Sequence, residues 1–142
     1  MPKIDFYILQ DPSPDARLRF AFRLADKAVD QGLKVFMSTS AEDMGRLDDM
    51  LWTHSDRSFL PHEIATATSP SHPRVMVLIG NGAPPPSHVG LLINLADAVP
   101  TAFETTERLA EIVDADNQRK VRARERFKFY RDQGLTIESH NV

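Results

Sequence analysis

The chain has 142 residues, 42% hydrophobic and 26% charged, with 17 basic against 20 acidic side chains for a net −3, the profile of one soluble globular domain large enough for a proper core. No run approaches the ~20 apolar residues of a membrane span, the opening Met1-Pro2-Lys3-Ile4-Asp5 is not a signal peptide, and without Cys there are neither disulfides nor thiolate metal sites, in keeping with a cytoplasmic location. An acidic overall balance argues against a dedicated nucleic-acid binder.

Residues 4–9 (IDFYIL) are nearly all apolar, with β-branched and aromatic side chains, and predict a buried parallel strand. Asp11-Pro12-Ser13-Pro14 is a turn, after which Leu18, Phe22, Ala25 and Val29 recur at helical spacing until Gly32 stops the helix. Residues 33–38 predict a second strand, and Ser40 with Glu42 and Asp43 predicts the start of a second helix. Met44, Leu47, Met50 and Leu51 give that helix its inner face, and it ends near Trp52. Further strands are predicted at 74–79, 91–95 and 108–113, ahead of a basic helix. The alternation of strands and helices predicts an α/β fold: one Rossmann-like domain over residues 1–142, a three-layer sandwich with a mainly parallel sheet and a basic C-terminal helix.

Two stretches stand out. Residues 119–131 (RKVRARERFKFYR) hold seven basic side chains and one acid, Glu125. This is a net +6 segment on a remainder of −9. At about 100° per residue, Lys120, Arg124, Lys128 and Arg131 line one face, beside a narrow apolar stripe of Ala123, Phe127 and Tyr130. Such a ridge suits an acidic peptide, a carboxylate or a phosphate; the plainer alternative is a solvated amphipathic face. The second stretch, residues 52–62, reads as a loop carrying the only Trp (Trp52) together with Phe59. That pair either closes the core or forms a protein-binding hot spot.

Signals for catalysis are lacking. Gly80-Asn81-Gly82 follows a strand, but Pro84-Pro85-Pro86 offers no backbone N–H to a phosphate. The five histidines show no paired ligand spacing, so no metal is expected. The acidic pairs Glu42-Asp43 and Asp48-Asp49 read as solvated, and no Gly-x-Ser-x-Gly occurs. Neither a cofactor nor a catalytic residue is expected.

Taken in order, Leu47-Asp48-x-x-Leu51-Trp52, Ser58-Phe59-Leu60-Pro61-His62, Leu91-Leu92-Ile93-Asn94-Leu95 with Val99-Pro100 and Phe103, and Ala123-Arg124-Glu125-Arg126-Phe127-x-x-Tyr130-Arg131-x-x-Gly134 resemble the chi subunit of bacterial DNA polymerase III across essentially the whole chain. The resemblance implies a Rossmann-like fold without a bound nucleotide and a non-catalytic accessory role in the clamp-loader assembly. It implies two partners: the acidic C-terminal tail of single-stranded DNA-binding protein, and the psi subunit. By position it places the tail on Arg124, supported by Lys120, Arg126 and Arg131, with Lys128 added by the ridge itself. It places psi on Trp52 and Phe59. DNA is then engaged indirectly. The alternative is direct binding of single-stranded DNA along the basic helix, with Phe129 as a stacking surface.

Overall fold

The computed structural model describes residues 2–13, 15–53, 61–66 and 69–142. Seven strands, β1 (Lys3–Ile8), β2 (Val35–Ser38), β3 (His62–Ile64), β4 (Val77–Gly80), β5 (Leu91–Asn94), β6 (Arg108–Val113) and β7 (Ile137–Asn141), form one sheet in the order β3-β4-β2-β5-β6-β1-β7. Every pairing is parallel. Three helices, α1 (Ala16–Asp30), α2 (Met44–Thr53) and α3 (Asn117–Asp132), supply the crossovers after β1, β2 and β6. The α/β sandwich expected from the alternation is therefore present, and the sheet is wholly rather than mainly parallel.

Successive side chains on a strand point to opposite faces, so each apolar strand feeds two cores. Val35, Met37, Val77, Ile79, Leu91, Ile93, Ala110 and Ile112 pack under Leu18, Phe22 and Ala25 of α1 and Leu47 and Leu51 of α2. Their neighbours Phe36, Leu78, Leu92 and Leu109, with Ile4 and Phe6, pack under Ala123 and Tyr130 of α3. Phe36 lies so close to the β4 backbone that a Cβ at Gly80 would sit 2.9 Å from its ring. Gly80 is thus needed for close approach rather than for a phosphate turn.

Both long helices stop where the sequence places a glycine. After α1, Gly32 (φ +83°) donates to Val29 O and Leu33 to Ala28 O. After α3, Gly134 (φ +76°) donates to Arg131 O and Leu135 to Tyr130 O. This paired pattern satisfies the last carbonyls and requires a left-handed residue. Asp116 caps the other end of α3, its carboxylate accepting the Arg119 N–H at 2.9 Å.

Two strands depart from the expected set. β3 and β7 lie at the two edges of the sheet. Their sequences, HEI and IESHN, are short and polar, because an edge strand is half solvated and carries little of the apolar pattern that reveals a central strand. The predicted strand at 74–79 begins its ladder only at Val77. Among the described residues no helix is long and apolar enough to cross a membrane.

Candidate functional site

α3 is held on the sheet by a buried polar cluster that the sequence reading did not foresee. Glu111, fully buried in β6, accepts from Tyr130 Oη at 2.7 Å, from Arg126 Nε at 3.1 Å, and from Asn94 Nδ2 at 3.0 Å. Arg126 also donates through Nη1 to Asp97 O at 2.7 Å. Burial pushes the Glu111 carboxyl above its ordinary range, against the pull of the Arg126 guanidinium. Burial, with the Glu111 charge beside it, pushes the Tyr130 hydroxyl up as well, so it stays a donor. The available clue was a lone acid inside the apolar run RLAEIV of β6.

This cluster corrects one expectation. Arg126 is 6% exposed and committed to Glu111, so it faces away from the ridge it was grouped with. Two positions along a helix is about 200° of rotation. Arg124 and Arg126 cannot share a surface.

The other cations of α3 divide the same way. Arg119 grips Asp114 with Nε and Nη2 at 2.9 and 2.7 Å, and Arg122 lies 4.0 Å from Asp97. Burial opposes ionisation of Asp114, but the Arg119 fork outweighs it and holds the carboxyl below its usual range. Arg131 reaches its neighbour Asp132 at 3.6 Å, both well exposed. Among the described residues, Lys120, Arg124 and Lys128 have no acidic partner. They are spaced i, i+4, i+8, a single row along α3.

Beside that row lies a groove of about 360 Å³. Phe6, Ile8 and Val113 of the sheet form its floor, Ala123 and Phe127 one wall, and Ser139 of β7 the other side, with Lys120 and Arg124 at the rim. Phe6 and Phe127 rings meet at 5.2 Å. An apolar trough edged by two cations fits an apolar side chain next to a negative group. Nothing in the sequence linked Ser139 to Arg124; the parallel crossover through α3 brings them together.

In an open parallel sheet, ligands usually sit at the carboxyl ends of the strands. Here that crevice, about 220 Å³ between β2, β5 and β6, is lined by Arg17, Arg119 and Arg122 with Asp43, Asp97 and Asp116. Its cations are turned on the protein itself: Arg17 donates to Leu95 O at 2.6 Å, and Arg119 and Arg122 pair as above.

At the far edge of the sheet, Trp52 at the end of α2 is 57% exposed, its ring 4.6 Å from that of His62 in β3. Asp48, expected to be solvated, turns to His62 Nε2 at 3.2 Å. Phe59, the expected companion of Trp52, lies outside the described residues. Exposure of Trp52 removes the reading in which it closes the core.

Fold and site together define a Rossmann-like α/β protein with no glycine phosphate loop, carrying a cation-rimmed apolar groove on one helix and an exposed tryptophan on the opposite edge. A bacteriophage T4 UvsW crystal structure shares the fold, with a TM-score of 0.67 over 99% of this chain and 41% of that one at 10% identity. Residues 1–138 match the family model described as "DNA polymerase III chi subunit, HolC". The chain is 36% identical to the DNA polymerase III subunit chi of Pseudomonas aeruginosa, over 100% of this chain and 98% of the relative. It is 28% identical to the subunit chi of Haemophilus influenzae, over 96% and 95%. The chain belongs to the chi-subunit family of DNA polymerase III, and so to the machinery of DNA replication.

Proposed function

We propose that this chain is a cytoplasmic, non-catalytic adaptor of the DNA polymerase III clamp-loader assembly, acting as one domain with two docking surfaces. The α3 groove takes the acidic C-terminal tail of single-stranded DNA-binding protein, and the Trp52 edge joins the psi subunit. One observation carries the first assignment: the groove is rimmed by Lys120 and Arg124, which with Lys128 one turn further along α3 have no acidic partner among the described residues. Arg124 offers the tail's terminal carboxylate a planar two-pronged match. The last apolar side chain of the tail enters the trough over Phe6 and Phe127. Lys120, Lys128 and Arg131 attract the acids upstream, mostly through salt-sensitive steering.

The test is a titration with a short acidic peptide ending in Phe. Arg124→Ala should weaken binding about 30-fold, ~2 kcal/mol, and amidating the peptide's C-terminus should do the same. Equal binding by wild type and variant, or indifference to amidation, sinks the carboxylate anchor.

A second reading rests on Phe129, 42% exposed between Lys128 and Arg131 on α3, which offers a base-stacking surface for single-stranded DNA. It forecasts tight binding of a bare oligonucleotide, falling steeply with salt, and no binding of the peptide.

A further inference from the structure

The free edge of the sheet runs beside the α3 groove. β7 has one neighbour, β1, and no strand beyond it among the described residues. Ile4 N–H bonds Thr136 O at 3.1 Å, and Val142 N–H bonds Ile8 O at 3.0 Å. In a parallel ladder alternate residues point their N–H and C=O to the same side. Residues 136, 138, 140 and 142 therefore serve β1, and the backbone groups of Ile137, Ser139 and Asn141 point outward. Ser139 also lines the groove. The edge is firmly presented, because His140 holds Asp5 at 2.9 Å and stacks on Tyr7 at 5.0 Å on the opposite face.

We infer that an acidic peptide with a free terminal carboxylate binds as an eighth strand, hydrogen-bonded to the outer edge of β7 while its side chains reach the α3 groove. This deepens the adaptor reading and rests on it. The dimensions agree: Arg124 to Arg131 spans about 10 Å of helix, within the about 16 Å that a five-residue strand such as β7 offers. Charge sets the direction. With the carboxylate at Arg124, midway along α3, and upstream acids toward its C-terminal end along Lys128 and Arg131, the peptide runs parallel to β7, like every other strand. Main-chain bonds then supply affinity, and the trough reads the final side chain.

Ser139→Pro tests this directly. It deletes an outward N–H while sparing the ladder to β1, and proline is tolerated at such edge positions. We expect Ser139→Pro to weaken the acidic peptide about fivefold to tenfold, and by clearly more than Ser139→Ala, which keeps the N–H. Independently of whether the proline variant folds, N-methylating the last five peptide amides one at a time against wild-type protein should weaken binding at alternate positions only. Wild-type affinity in folded Ser139→Pro, or loss without alternation, overturns strand pairing; if Arg124→Ala still weakens binding about 30-fold, the adaptor reading survives. Failure of the unmodified peptide to bind wild type at all removes both.

Discussion

Arg124 and Arg126 stand two residues apart on α3 and do opposite work. Arg124 rims an open groove, while Arg126 is 6% exposed with its Nε 3.1 Å from Glu111. Removing Arg126 leaves a buried carboxylate without its counter-charge, whereas removing Arg124 trims an exposed side chain. We predict that Arg126→Ala costs about 3–5 kcal/mol of stability, and that Arg124→Ala stays within about 0.5 kcal/mol of wild type. Urea titration of the two variants decides it. Equal losses would mean that Arg126 is not the inward anchor.

Trp52 separates folding from partner capture. Because its side chain is largely exposed, Trp52→Ala should melt close to wild type. If the edge docks psi, the same variant should lose about 2 kcal/mol of psi affinity or more and keep its affinity for the acidic peptide. A variant that captures psi normally, measured by titration with purified psi, places that contact elsewhere.

His88 predicts a pH dependence. Its ring is fully buried; Nε2–H donates to Val75 O at 2.8 Å, so Nδ1 accepts from Ser87 Oγ at 2.8 Å. Burial lowers its pKa from 6.5, and nearby Lys34 adds to the effect. A depressed folded pKa means that the unfolded chain takes up the proton first as pH falls. The contribution is complete above the ordinary value and is lost progressively below about pH 6.5. Glu111, raised by burial, has the opposite sign but is common to wild type and variant. His88→Gln should therefore flatten the fall in stability between about pH 7 and pH 5, whatever its absolute stability. Identical pH slopes would exclude His88 as the group responsible.

Gly134 isolates a backbone cost. A Cβ there meets nothing within 4 Å, yet φ is +76°. Gly134→Ala should lose about 1 kcal/mol from left-handed strain alone, a shift of about 3 °C in Tm. No shift would mean that the helix end relaxes to another geometry.

The central strands and the helices announce themselves in the sequence because burial dictates their composition. β1, β2, β5 and β6 are runs of apolar residues, and α1 and α3 are closed by glycines that only left-handed turns require. The net +6 of residues 119–131 and the single tryptophan were equally visible, since charge and aromatic content need no coordinates.

What the sequence by itself determined, then, is an α/β alternation with one basic helix. What the tertiary structure decided is which of that helix's cations are available. Seven basic residues look alike in a string, but the rotation of α3 is set by Glu111, Asn94 and Asp97, which come from strands and loops far away in sequence. That rotation spends Arg126 on the core, turns Arg119 and Arg122 to Asp114 and Asp97, and leaves Lys120 and Arg124 at the rim of the groove. The far wall of that groove, β7, is an edge strand whose polar sequence gives no periodic signal. Its place beside β1 follows from the right-handed crossover through α3, a fact of three-dimensional packing that no local pattern encodes.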